Sequence, residues 1–255
     1  MTEPDAPLTI PFLITRPAGK ADNLLASLDD AYVQYLYQPL ITTAAVALKT
    51  QDLQHLQQAD MVIFVSVSAV SCLQQQCENL QFSGQLFAVG QTTASALQRW
   101  LSCDVIVPED QRSEGLLQLP QLQNVAGKQV VVVRGNAGRE LIKQGLTARG
   151  ASVRYVQSYK RVPLPLDGTL LCQQWQLAGI RCIVATSNEI LQQLFSLVPS
   201  EHQHWLKQCD WIVVSPRMQD SALALGITAD NITVADNAND SALLAAIGQR
   251  KREYQ

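Results

Sequence analysis

Little in this sequence favours a metal, a thiol redox couple or a nucleotide. Its histidines are His55, His202 and His204, and no third ligand stands near the His202-Gln203-His204 pair, so no metal site is expected. Cys72, Cys77, Cys103, Cys172, Cys182 and Cys209 are scattered without a CxxC pair, which suits small buried hydrophobes in a reducing compartment. Neither G-x-G-x-x-G nor G-x-x-x-x-G-K-[ST] occurs, which argues against a dinucleotide or P-loop site. A nucleophile elbow, G-x-S-x-G, is missing as well. No apolar run approaches the ~20 residues of a membrane span. The opening MTEPDAPLT lacks a basic segment followed by an apolar core, so a cytoplasmic protein without a signal peptide is expected. Charged residues make up only 16% and the net charge is −3, which offers no broad field for nucleic acid or membrane. An anionic ligand would have to be held by local donors.

What the sequence has is apolar material, 47% of 255 residues, enough for two ordinary domains. It is distributed in short β-branched runs followed by polar turns and helical patterns. Val130–Val133 is the plainest run and reads as a strand buried on both faces. Arg134-Gly135-Asn136-Ala137-Gly138 follows as a tight turn with accessible amides, then a helix with Leu141, Ile142 and Leu146 on its apolar stripe. A strand, a turn and a helix N-terminus in that order form an anion-receiving geometry.

The same grammar runs through the chain. Strands are predicted at Leu8–Ile14, Val33–Tyr37, Met61–Val65, Leu86–Val89 and Val105–Val107, with helices at Ala21–Leu28 and Ser113–Leu119. A second series matches the first at offsets of roughly 120 residues: Val130–Val133, Val153–Tyr159, Ile183–Ala185, Trp211–Val214 and Ile232–Val234. The pattern predicts a duplicated α/β domain, each copy a flavodoxin-like parallel sheet that binds ligands beyond the carboxyl ends of its strands. Those ends carry Thr15-Arg16, Ser66, Gly90-Gln91, Arg134-Gly135, Ser187 and Ser215. Two such domains facing each other would line one cleft. The proline-bearing stretches 38–43 and 159–167 are the expected linkers, and sequence leaves open whether the copies are sequential or exchange their first βαβ units.

Each candidate side chain has a plain structural role open to it. Ser66, Ser68 and Ser187 stand where helices begin and suit N-caps, which is compatible with ligand binding because a helix N-terminus has several unpaired N–H groups. Thr92 and Thr93 carry the same ambiguity. Tyr159, followed by Lys160 and Arg161, is either a strand-end tyrosine or a phenol poised to donate a proton beside an anionic ligand.

The stretch Leu116–Val153 resembles uroporphyrinogen-III synthase, the tetrapyrrole-cyclising enzyme family of haem biosynthesis. The similarity continues in Leu13-Ile14-Thr15-Arg16-Pro17, in Ala88–Ala94 and in Val234–Ile247, so it covers nearly the whole chain in order. The resemblance implies two α/β domains joined by a two-stranded linker with the active site in the cleft between them. It implies domains at 1–38 plus 161–255 and at 39–160, the first βαβ unit packing with the second half of the chain. The implied reaction cyclises linear hydroxymethylbilane to uroporphyrinogen III with loss of water and inversion of ring D, without metal or organic cofactor. A cytoplasmic monomer is expected, with no nucleic-acid or membrane partner.

By the same resemblance Tyr159 is the implicated general acid, and Arg16, Ser66, Thr93, Arg134, Ser187, Ser215 and Arg217 are substrate-binding candidates. Two departures stand out. Ser215-Pro216-Arg217-Met218-Gln219 replaces a G-P-T-T-A turn, so Arg217 would substitute for a lost threonine, and Val65-Ser66-Val67 replaces T-S-P. Both favour binding through main-chain donors. The competing reading is a cytoplasmic two-domain protein that binds an anionic metabolite without catalysis.

Overall fold

A computed structural model describes residues 12–136 and 140–254. The expected strand residues Leu8–Pro11 and the turn residues Ala137 and Gly138 lie outside the described residues. In chain order the elements of the first half are β1 (Phe12–Ile14), α1 (Asp22–Asp30), β2 (Tyr35–Tyr37), β3 (Ile41–Ala45), α2 (Thr50–Gln58), β4 (Met61–Phe64), α3 (Val67–Gln74), β5 (Gln85–Ala88), α4 (Gln91–Leu101) and α5 (Ser113–Leu116). Those of the second half are β6 (Gln129–Gly135), α6 (Leu141–Ala148), β7 (Ser152–Pro163), α7 (Gly168–Leu177), β8 (Cys182–Val184), α8 (Asn188–Leu197), α9 (Gln203–Gln208), β9 (Asp210–Val213), α10 (Pro216–Ala224), β10 (Ile232–Val234) and α11 (Asp240–Glu253).

The chain divides into two compact units, residues 1–42 with 163–255 and residues 43–162. In the first, five parallel strands lie in the order β10-β9-β8-β1-β2. Numbered within the unit this is the 2-1-3-4-5 order of a flavodoxin-like sheet. The second unit has the order β3-β7-β6-β4-β5, and Ile106 extends it by a single parallel bridge to Phe87. Leaving out the edge strand β3, it is the same sheet with its two pairs of strands entered in the opposite chain order. The repeat copies therefore exchange partners. β1 pairs β8 from the second copy, and β6 of that copy pairs β4 from the first.

The cores follow from burial on both faces of each sheet. In the 43–162 unit, Val131 and Val133 face a cluster with Phe64, Leu73 and Leu97, while Val130 and Val132 face Leu116, Ile142 and Leu146. In the other unit the corresponding layers centre on Trp175 and Trp211 and on Phe12, Leu24 and Ile247. An uninterrupted β-branched run is what a strand covered by helices on both sides requires.

Several boundaries differ from expectation. Val105–Val107 contributes only the Ile106 bridge, because just one of its residues reaches the pairing distance of β5 at this outer edge. The helix expected over Ser113–Leu119 stops at Leu116, and Pro120 begins a separate short turn of 3-10 helix. Val33–Tyr37 pairs only from Tyr35, and Ala21–Leu28 begins at Asp22 and runs on to Asp30. Two helices, α2 and α7, fall in stretches where none was expected. The proline-bearing stretches 38–43 and 159–167 enter β3 and β7, which run in opposite directions: Val46 donates to Ser158 and Leu164 donates to Leu40.

Candidate functional site

In the 43–162 unit the carboxyl ends of β4, β5, β6 and β7 share one edge, since those strands are parallel. Ser66 caps α3 there, accepting from the Ala69 N–H at 3.2 Å. Gly90 takes the N-cap position of α4 with an extended backbone, and Thr93 is buried in the first turn of that helix. The capping role foreseen for Ser66 is thus real, and the hydroxyl keeps a second contact: Ser66 Oγ lies 3.1 Å from the Tyr159 hydroxyl.

A backbone irregularity creates that contact. The β6–β7 register runs evenly from Gln129 opposite Ser152 to Arg134 opposite Gln157, then shifts so that Gly135 faces Tyr159. With strict alternation Tyr159 would share a face with Tyr155, beside α6. The extra residue, Ser158, turns Tyr159 onto the α3 face with Val156, as a bulge re-aims a side chain. Ser158 fixes the bend by donating to the Ala69 carbonyl at 3.1 Å. Gly135 makes room: a Cβ there would stand 2.6 Å from two carbons of the Tyr159 ring. Tyr159 is consequently buried at 7% exposure, with its hydroxyl at the strand-end edge.

Arg134 is differently engaged. It is 8% exposed, its Nη1 donates to Glu140 Oε1 at 3.0 Å, and its guanidinium lies 4.4 Å from the centre of the Tyr155 ring. The Tyr155 hydroxyl donates to the other Glu140 oxygen at 2.9 Å. Neither Glu140 nor Tyr155 was singled out from the sequence. The hydrogen bond from Tyr155 and the pairing with Arg134 hold the Glu140 carboxyl below the usual carboxylate range. A depressed folded-state value means this set stabilises the protein above the ordinary carboxylate range and stops doing so as pH falls through the folded value. Glu140→Gln should therefore lower the thermal midpoint at pH 7, and its difference from wild type should shrink on acidification. A pH-independent difference would contradict the ion pair.

In the other unit the carboxyl ends carry Arg16, Ser187 and Ser215. Ser187 caps α8 through the Ile190 N–H at 3.2 Å, and Ser215 caps α10 through the Met218 N–H at 3.3 Å. Arg16 pairs with Asp240 and donates to the Ala238 carbonyl at 3.1 Å. Arg217 is exposed in the first turn of α10. Ser66, Tyr159, Thr93 and Arg134 thus belong to the strand-end edge of one unit, and Arg16, Ser187, Ser215 and Arg217 to that of the other. A concavity of about 520 Å³ lined by Asp60, Gly84, Gln85 and Lys128 lies at the amino-terminal edge of the 43–162 sheet, away from these groups. Asp60 there is already bonded to Lys128 and to the Gln129 N–H.

Among the described residues no cluster of three or more His, Cys, Asp or Glu could hold a metal ion, and no helix is long and apolar enough to cross a membrane.

Comparison with known proteins agrees along most of the chain. Residues 22–245 match the family model described as uroporphyrinogen-III synthase HemD. Uroporphyrinogen-III synthase of Escherichia coli K12 is 39% identical over 244 residues, which cover 92% of this chain and 98% of that protein. The Salmonella typhimurium LT2 protein of the same name is 40% identical over 245 residues, with the same coverage. Among solved structures, uroporphyrinogen-III synthetase from Helicobacter pylori 26695 aligns with a TM-score of 0.59 at 13% identity, covering 96% of this chain and 99% of that one. A mutant uroporphyrinogen III synthase from Thermus thermophilus aligns with a TM-score of 0.54 at 17% identity, covering 96% and 100%. These two likenesses concern the fold.

Proposed function

Because the chain belongs to the uroporphyrinogen-III synthase family, and so is a cyclising lyase of tetrapyrrole biosynthesis, we propose that its strand-end edges bind linear hydroxymethylbilane and that Tyr159 supplies the proton for loss of the hydroxyl. The observation that carries this reading is the Tyr159–Ser66 contact at a helix N-terminus.

The first bond to break is the carbon–oxygen bond of the terminal hydroxymethyl group. Tyr159 gives its proton to that oxygen and water departs. The electrons of the adjacent pyrrole nitrogen then fill the vacated carbon, forming an azafulvenium cation. The substituted α-carbon of ring D attacks that carbon and becomes a spiro centre. Its old bond to the ring-C methylene then breaks, with the electrons returning to ring D. The free α-carbon of ring D closes on the ring-C azafulvenium so formed, which leaves the ring inverted. Re-aromatisation releases the proton that restores the phenol. With Ser66 donating, the phenolate left after proton transfer would be stabilised by that O–H and by the positive end of α3.

The substrate is a polycarboxylate, and the helix N-termini after β4, β5, β8 and β9 offer donors suited to it. In this reading Thr93, Ser187, Ser215 and Arg217 bind carboxylate arms directly, and the Ser66 turn contributes through the free amides at the N-terminus of α3, its one O–H being committed to Tyr159. Arg134, buried and already paired with Glu140, shapes its turn and adds local positive charge, while Arg16, paired with Asp240, keeps further guanidinium donors for substrate. Holding the two chain ends in reacting geometry supplies much of the acceleration. The proposed domain division follows the family, residues 1–38 with 161–255 and residues 39–160, and the proposed site of action is the cytoplasm.

If Ser66 acts through Tyr159, Ser66→Ala should lower turnover about tenfold in the wild-type background and very little in a Tyr159→Phe background. Fully additive losses would separate the two residues and overturn this pairing.

A further inference from the structure

Two arginine–acid–tyrosine sets occur in the chain at one shared sequence offset: Arg134, Glu140 and Tyr155, and Arg16, Asp22 and Tyr37. Strand pairing makes them equivalent. Tyr155 stands opposite Val132, two residues before Arg134, and Tyr37 stands opposite Ile14, two residues before Arg16. Glu140 immediately precedes α6, and Asp22 opens α1, the matching helix of the other copy.

In the 43–162 unit the set is closed: the Glu140 carboxylate bonds the Arg134 guanidinium with one oxygen and the Tyr155 hydroxyl with the other. In the other unit the acid makes neither bond. Aspartate is one methylene shorter than glutamate, and no described hydrogen bond joins Asp22 to Tyr37 or Arg16. Arg16 turns instead to Asp240 and the Ala238 carbonyl, contacts that use only part of the guanidinium's donor set. The Tyr37 hydroxyl is buried and has no hydrogen-bond partner among the described residues. Burial raises its pKa, with Asp22 adding to the shift and Arg16 opposing it, so it remains a protonated donor at neutral pH. A buried hydroxyl left without a partner is unfavourable, and such a group calls for an explanation.

We propose that Tyr37 and Arg16 form a carboxylate-binding subsite in which a carboxylate arm of the substrate takes the place that Glu140 fills in the other unit. The chain's own Glu140 carboxylate is the template, because it shows that this arginine–tyrosine arrangement accepts a carboxylate with one oxygen to each partner. This rests on the reading of the strand ends as the substrate surface. It adds Tyr37 as a binding residue, and the shorter Asp22 is what leaves Tyr37 without the internal carboxylate that Glu140 supplies to Tyr155.

Two variants test it by steady-state kinetics and thermal unfolding. Tyr37→Phe should raise KM about tenfold, the scale of one hydrogen bond to a charged group, while kcat and the thermal midpoint stay near wild type. Asp22→Glu should close the subsite with the protein's own carboxylate, raising KM and the thermal midpoint together. Unchanged KM in both folded variants would overturn the subsite, as would a loss of kcat at unchanged KM. These outcomes require that wild type form uroporphyrinogen III; a wild type that fails to do so refutes the proposed function itself, before either variant is compared.

Discussion

Gly135→Ala is expected to cost both stability and turnover, although it adds a single methyl group. The new Cβ would come within 2.6 Å of the Tyr159 ring, a contact that real Cβ atoms do not make. The neighbour is an aromatic ring held in a core with Val133 and Val156, which cannot swing aside as a flexible chain end would. Overpacking of this kind costs about 1–3 kcal/mol. Moving the ring enough to relieve it displaces the phenol by about an ångström, and a misplacement of that size reduces turnover on the order of a hundredfold. The mechanism makes a second prediction: in a Tyr159→Ala background the stability penalty of Gly135→Ala should disappear. A Gly135→Ala protein with wild-type midpoint and turnover would show that the close approach of β6 to Tyr159 does not govern the site.

Tyr159→Phe should separate chemistry from folding. The ring remains to fill the α3-side core, and the group lost is one hydroxyl at the edge. Ser66 keeps its cap to the Ala69 N–H and is half-buried, so it loses one contact without becoming a buried orphan. The stability cost should be about 1 kcal/mol. General acid catalysis contributes on the order of 10²–10⁴ in rate, so kcat should fall at least a hundredfold while KM changes little. The remaining rate reflects substrate held in reacting geometry. Undiminished kcat in a folded Tyr159→Phe protein would remove this phenol from the reaction.

The parts of the fold written in local pattern were legible from sequence. β-branched runs such as Val130–Val133 announce strands covered on both faces, and the serines that follow strands announce helix caps; both appear in the structure. Non-local choices were not written there. Phe12–Ile14 and Val130–Val133 are equally apolar, so nothing local tells β1 to pair with Cys182–Val184 rather than with Met61–Phe64. The irregularity that turns Tyr159 toward Ser66 leaves no mark either, because an inserted residue in Tyr155–Tyr159 reads as ordinary alternation.

Helix α2 was missed because TQDLQHLQQ buries only Leu56, too weak a stripe to count. Helix α7 begins directly at the end of the proline-bearing stretch 159–167, which reads as a linker. Asp167 is instead its N-cap, bonded to the Leu170 N–H, and Gly168 is glycine because a Cβ would meet the Leu197 carbonyl at 1.8 Å. Arg134 was visible, but its partners were not. Glu140 lies across a turn and Tyr155 on the neighbouring strand, contacts that only folding brings together.

The central claim is that this chain directs hydroxymethylbilane to the ring-inverted macrocycle. Supplying freshly generated hydroxymethylbilane and resolving the uroporphyrin isomers after oxidation tests it directly. Spontaneous closure gives isomer I, so the account predicts that wild-type protein turns the product predominantly into isomer III. An isomer distribution unchanged by the protein would contradict it.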